Sequence, residues 1–252
     1  MTSSLPILTF HALDDQRSAT SFSPEVFQRG IARLHENGYR SLSLTDAAGC
    51  ISRRQPFPSR SIVITFDDGY QSVHDEALPV LRDYGFCATV FLTVGERRAA
   101  ETDGRLPSLG GRPMLSWSEI RKMHNAGISF GAHTLTHPDL TRLPLDRVET
   151  EVCQSKQILE DALGAPADCF AYPYGRYDRR SRDIVRQHFA CACSDKLGLI
   201  RTDSDLYALE RVDAYYLRTD RLFDLMLTKI FPWYIAARSI PRQIRRVVQR
   251  SQ

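Results

Sequence analysis

Two short stretches carry side chains whose types and spacing could do chemistry. In Thr65-Phe66-Asp67-Asp68-Gly69-Tyr70, two adjacent carboxylates close an apolar run. Such neighbours repel unless a cation lies between them or they take different tasks. A divalent metal meets both conditions, with one Asp ligating it while the other activates a water. Gly69 allows the sharp turn that brings backbone close to such a site. Asp-Asp-Gly is also an ordinary turn sequence. In His133-Thr134-Leu135-Thr136-His137, the i, i+4 spacing puts two imidazoles on one face of a helical turn, a geometry divalent metals accept. Pro138 ends that turn. An isolated HxxxH is weak evidence. Joined to Asp67-Asp68 it becomes a two-His, one-carboxylate set with open positions, suited to Zn²⁺ or a non-haem iron. The spare carboxylate favours hydrolysis over oxygen chemistry.

Positioning these groups needs strands that end at a common face. Apolar or β-branched runs predict strands at Pro6–Phe10, Ser61–Phe66, Ala88–Leu92, Ile128–Gly131, Cys169–Tyr172 and Phe189–Cys193. Between them, helices are expected near residues 24–37, 72–84, 117–126, 144–163 and 179–187. The 144–163 segment is the clearest: Leu145, Val148, Val152, Leu159 and Leu163 form a stripe ended by Gly164 and Pro166. Strand–helix alternation implies an α/β fold with a parallel sheet, open or closed into a barrel. Polar groups follow four strands: His11, Asp67-Asp68, His133 and Tyr174-Gly175. Chemistry at strand C-termini is the habit of barrels. No glycine-rich phosphate loop stands in the right context, so nucleotide binding is not indicated.

The 252 residues are ordinary for a soluble globular chain, at 42% hydrophobic and 25% charged. Repeats and low-complexity tracts are absent, which excludes solenoids and disorder. Neither a secretory leader nor a run of about 18 apolar residues is present, so a cytoplasmic location is expected. The six cysteines form no CxxC pair and read as small core residues. Cys191-x-Cys193 is weak as a soft metal site and fits a strand better.

The resemblance carried by these residues is specific. The stretches ITFDDGY (64–70), ALPVLRDYG and ATVFLTVG (77–95), LSWSEI (115–120), GISFGAHTLTHPDL (127–140) and FAYPYGRYD (170–178) resemble NodB-type polysaccharide deacetylases of carbohydrate esterase family four. The resemblance runs from about Ser61 to Asp213. It implies a distorted (β/α) barrel in a single domain that removes the N-acetyl group from an amino sugar in surface polysaccharide biosynthesis. It also implies roles: Asp68, His133 and His137 as metal ligands, Asp67 as catalytic base, and the Tyr174 backbone N–H as oxyanion donor. The metal would be Zn²⁺, with Co²⁺ or Ni²⁺ as alternatives. No organic cofactor is implied. Relatives on this fold also cleave cyclic amides or sugar O-acetyl esters, and a non-catalytic glycan-binding module is a further alternative.

Two departures stand out. Many members place an Arg before the Pro-Tyr-Gly turn to orient the base, where this chain has Phe170-Ala171-Tyr172. Arg211 is the candidate replacement, with Arg176 in reserve. The usual C-terminal general-acid His is also missing, because no histidine follows His188. Some subgroups resemble circular permutants whose corresponding strand begins the chain. Leu8-Thr9-Phe10-His11 fits that pattern, which makes His11 the expected general acid, with Asp213 to orient it. His35, His74, His124 and His188 read as solvated helix residues, and Trp117 as core.

The tail is unlike the body. Residues 225–252 hold Lys229, Arg238, Arg242, Arg245, Arg246 and Arg250 and no acid, so of the net +3 these six leave the remainder at −3. The expected division is a barrel over 1–219 and a basic amphipathic helical extension over 220–252. Pro232-Trp233-Tyr234-Ile235, followed by Ile240, Ile244, Val247 and Val248 at helical spacing, suits contact of residues 232–250 with an anionic membrane. There the expected partner is an N-acetylated, lipid-linked glycan. The alternative is a helix packed on the barrel. Nucleic acid is not expected, since the acidic body offers no wider basic face.

Overall fold

Six residues in a row, Ser61–Phe66, are buried, which requires a strand covered on both faces. In the computed structural model, which describes residues 1–250 and side chains through Ile240, this strand is one of seven. They are β1 (Ile7–Phe10), β2 (Ser61–Phe66), β3 (Thr89–Leu92), β4 (Ser129–Ala132), β5 (Cys169–Ala171), β6 (Cys191–Leu197) and β7 (Leu209–Asp213). Each pairs in parallel with the next in sequence, and β7 and β2 both pair with β1, so the sheet closes. The result is a seven-stranded parallel barrel with helices outside, in agreement with the (β/α) barrel expected.

The helices follow the apolar periodicity. Those of seven residues or more are α1 (Pro24–Glu36), α2 (Leu44–Ser52), α3 (Leu78–Tyr84), α4 (Trp117–Asn125), α5 (Leu145–Leu163), α6 (Arg179–His188) and α7 (Phe231–Arg250). Helix α4 starts on a capping box, Ser116 with Glu119, and α5 stops at Gly164 in the left-handed conformation. Trp117 is fully buried. Two of these labelled elements were not expected. Helix α2 was not foreseen; its Leu44, Ala47, Ala48 and Ile51 join Leu5, Ile7, Phe57 and Val63 in a separate apolar cluster. Strand β7 was hidden by the charges of Leu209-Glu210-Arg211-Val212-Asp213.

Two-residue alternation divides the strands, except in β6, whose register against β7 shifts between Cys193 and Leu197. Leu8, Phe10, Ile62, Ile64, Phe66, Val90, Leu92, Phe170, Ala192 and Val212 pack in the large core with the outer helices. Ile7, Val63, Phe91, Cys169, Ala171, Cys191, Cys193 and Leu209 belong to the barrel-interior cluster with α2. Gly131 faces the same interior, where a Cβ would come within 2.6 Å of the Cys169 carbonyl and 2.7 Å of the Phe91 ring. The segment Asp220–Asp224 packs on α1 through Phe223, and Asp220 pairs with Arg29 and Arg33. Helix α7 begins earlier than the expected periodicity, at Phe231, and seats Phe231 and Ile235 in the core. The side chains of Arg242, Ile244, Arg245, Arg246, Val247, Val248 and Arg250 lie outside the described ones.

Candidate metal centre and active site

The interior alternation, within β6 and β7 and continued past the ends of β1, β2 and β4, delivers the polar residues. Two steps beyond Thr9, Thr65, Gly131, Cys193 and Leu209 come His11, Asp67, His133, Asp195 and Arg211, and all five line one cavity of about 650 Å³. Asp68, His137, Tyr174 and Asp213 line it as well. Every residue named from the sequence for the site is therefore brought to one place, except Arg176. That side chain is exposed, pairs with Asp139 at 2.8 Å and stacks over Tyr174.

Arg211 instead grips Asp67. Its Nη1 and Nη2 donate to Oδ1 and Oδ2 at 2.8 and 2.7 Å, and its Nε donates to the Ser194 carbonyl at 2.9 Å. Asp67 is 3% exposed and Arg211 5%. Burial would raise the Asp67 carboxyl, but the charge and hydrogen bonds of Arg211, with lesser help from His133 and His11, hold it well below the usual carboxylate range. Asp67 is thus an anion across the physiological range. His11 Nε2 lies 4.0 Å from Asp67 Oδ2, because β1 and β2 are neighbours and Phe10 sits opposite Phe66 in register. Asp213 accepts a hydrogen bond from the Tyr215 amide at the start of the next turn.

Asp68, His133 and His137 form a compact triangle. The two imidazole Nε2 atoms are 3.2 Å apart, and Asp68 Oδ1 lies 3.5 Å from one and 3.4 Å from the other. Zn–ligand bonds of about 2.0–2.1 Å at a tetrahedral angle would separate ligand atoms by about 3.3–3.4 Å, so the donor set fits such an ion. His133 Nδ1 donates to the Ala171 carbonyl at 2.7 Å, which leaves Nε2 as the lone-pair nitrogen facing the triangle. Burial, with His133 beside it, lowers His137 to about 4, so its imidazole is neutral, as a ligand must be. Burial and the Asp68 charge push the Tyr70 hydroxyl up to about 12.

The backbone at these groups is strained. Seven described non-glycine residues have positive φ, and four of them are Asp68, Thr134, His137 and Tyr174. Each such residue costs roughly 1–3 kcal/mol unless its surroundings impose it, and such strain gathers at functional sites. Gly69, at φ +87°, could bear no side chain: a Cβ would lie 2.5 Å from Leu106 and 2.8 Å from Leu92. The His133–His137 segment corrects a sequence-based expectation. It is not a helical turn; Thr134 at φ +71° breaks the helix, and the two rings converge through a left-handed loop instead.

Besides cavity-lining Asp195, Glu151 escaped the sequence reasoning. Glu151 of α5 is 1% exposed. Its Oε2 accepts the amides of Leu135 and Thr136 at 2.9 and 3.0 Å, and its Oε1 accepts the Thr136 hydroxyl at 2.7 Å. The available signal was an acid on the inner face of a helix whose stripe runs through Val148 and Val152. The cysteines are all free, and Cys169, Cys191 and Cys193 are buried in the barrel strands.

Comparison with known proteins follows this geometry. The family model described as polysaccharide deacetylase matches residues 54–189. YxkH of Bacillus subtilis (strain 168) is 28% identical over 209 residues, covering 82% of this chain and 70% of YxkH. A poly-β-1,6-N-acetyl-D-glucosamine N-deacetylase of Staphylococcus aureus (strain MRSA252) is 25% identical over 179 residues, or 66% of this chain and 58% of that protein. The Streptococcus pyogenes deacetylase PplD, solved with acetate, superposes with a TM-score of 0.74 at 25% identity, covering 84% of this chain and 93% of PplD.

Proposed function

The chain belongs to the polysaccharide deacetylase family, and we propose that it is a metal-dependent hydrolase releasing acetate from an N-acetylated amino sugar of a glycan or glycan precursor. The observation that carries this reading is the Asp68–His133–His137 triangle beside an Asp67 carboxylate held by Arg211. A divalent ion on those three ligands, most simply Zn²⁺, with Co²⁺ or Ni²⁺ as alternatives, would supply Lewis acidity toward water and the acyl oxygen. Asp67 takes the proton of the attacking water, and the Arg211 fork keeps its carboxylate ionised and fixed in orientation. The Tyr174 amide donates to the oxyanion, an interaction commonly worth about 3–4 kcal/mol. His11 delivers a proton to the departing amine, and acetate and the free amino sugar leave. A binding module would have no use for an ionised carboxylate beside an intact ligand triangle. Acetate release from N-acetylated glycans, acetyl esters and cyclic ureides, with and without chelator, tests the proposal. Turnover confined to esters or ureides would move the assignment to the esterase or cyclic-amide alternative.

We further propose that the 220–252 extension brings a cytoplasmic enzyme to an anionic membrane leaflet bearing lipid-linked glycan. No helix among the described residues is long and apolar enough to cross a membrane. Helix α7 turns Phe231 and Ile235 inward while Trp233 stands 78% exposed, beside exposed Ile230 and Ile240. Tyr234 donates to the Tyr216 carbonyl at 2.8 Å, in the turn that follows cavity-lining Asp213. The start of α7 is thus tied to the turn beside the cavity, which supports this reading. Each Arg near such a surface could add about 1 kcal/mol. Co-sedimentation with anionic liposomes at low salt, compared with a chain ending at Thr219, tests this. Equal binding by both, or none by either, would refute it.

A further inference from the structure

We infer that Glu151 is a positioning residue that sets the metal affinity of the site by holding the His133–His137 loop in its ligating shape, an inference that rests on the metal reading above. On one side the loop is tied to the end of β3 and the residues after it: the His133 amide donates to the Leu92 carbonyl at 2.8 Å, Thr93 Oγ1 donates to the His133 carbonyl at 3.3 Å, Val94 N to Thr134 at 3.2 Å, and Gly95 N to Leu135 at 2.9 Å. Its other donors turn to different partners. The His137 amide is satisfied within the loop by Thr134 Oγ1 at 3.0 Å. The Leu135 and Thr136 amides both reach Glu151, which comes from a different element and is the only ionisable side chain bonded to the loop backbone among the described residues.

A helical turn beginning at His133 would leave its first four amides without internal partners, and a loop with Thr134 at φ +71° and His137 at φ +60° does not satisfy them internally either. A carboxylate accepting two N–H groups and a hydroxyl is a strong, charge-assisted clamp. It spans the two residues between Thr134 and His137, so it fixes the offset between the imidazoles. That offset is what places their Nε2 atoms 3.2 Å apart. Without Glu151, the Leu135 and Thr136 amides lose their shared acceptor and the loop gains a reason to rearrange. Partners that orient metal ligands typically change affinity by about 10–100-fold when removed.

The test measures Zn²⁺ dissociation constants of the metal-stripped full chain by competition with a chromophoric chelator, alongside urea unfolding of the same stripped proteins. Glu151→Gln keeps the size but gives up the negative charge and one of the two acceptor oxygens of the clamp; its Zn²⁺ affinity should fall about 10–100-fold. Ser155→Ala is the control: Ser155 is buried one turn further along α5 and donates only within the helix, to the Val152 carbonyl at 2.9 Å. It should lose stability without losing affinity. Should Glu151→Gln not fold, Thr136→Val removes one of the three donors from an exposed position and should weaken Zn²⁺ several-fold. Unchanged affinity in these variants, or losses that simply track stability across all of them including Ser155→Ala, would overturn the inference. Wild-type protein that takes up no divalent metal would overturn the metal reading itself, and would be recognised before any variant is compared.

Discussion

Replacing Arg211 by methionine removes a buried cation from a buried anion. Asp67 would lose both direct hydrogen bonds, at 2.8 and 2.7 Å, and keep its place at 3% exposure. Breaking such a pair from one side costs about 3–5 kcal/mol, because the remaining charge is left uncompensated. Asp67→Asn removes the other charge and strands the guanidinium. The double variant leaves neither charge, so it should be less destabilised than the sum of the singles by about 2–3 kcal/mol. Urea unfolding of the four metal-stripped proteins at neutral pH gives this coupling directly. Acid provides a second arm. Asp67 is held below its unfolded value near 3.9, so the pair's stabilisation is fully present above that pH and drains away as pH falls through the lower folded value. The stability gap between wild type and Arg211→Met should accordingly shrink below about pH 4. Additivity within about 0.5 kcal/mol, or a gap indifferent to acid, would refute the claim that Arg211 acts through Asp67.

Asp67→Asn should retain metal, read by elemental content, yet lose at least about 100-fold in kcat; loss of the metal instead would make Asp67 a ligand. His11→Ala should bind metal normally and slow amide cleavage more than cleavage of an activated ester, whose leaving group needs less protonation; equal losses would argue for a structural His11. Chelation should abolish acetate release and added Zn²⁺ or Co²⁺ should restore it, whereas full turnover by metal-free protein would sink the metal reading.

Much of the barrel was legible because its strands are buried on both faces and so read as unbroken apolar runs. Strand β7 was illegible for a functional reason. Its interior positions include Arg211, and Glu210 and Asp213 add charge, so five residues that form a strand look like surface. Helix α2 carries a short apolar face, Leu44, Ala47, Ala48 and Ile51, diluted by Thr45, Asp46 and Gly49, and only Ser43 as cap marks its start. The His133–His137 spacing pointed correctly to two convergent imidazoles but to the wrong backbone, since i, i+4 proximity is reached here through left-handed residues. Glu151 left only a faint signal, an acid on the inner face of its helix. Two of its three partners are main-chain amides, which leave no trace in residue spacing.

The two-residue alternation of β7 has a consequence for how the barrel closes. β7 lies between β6 and β1 and completes the ring, with Val212 opposite Leu8 and Asp213 opposite Thr9. A slip of one residue would exchange its two faces. Glu210 or Val212 would then stand where Arg211 meets Asp67, giving either two facing carboxylates or a charge against a methyl group. The same slip would turn Arg211 outward into the apolar layer under the helices. The ion pair that orients the base therefore also discriminates against the wrong closure. A chain that has folded with β7 out of step is penalised at the very carboxylate its chemistry would need.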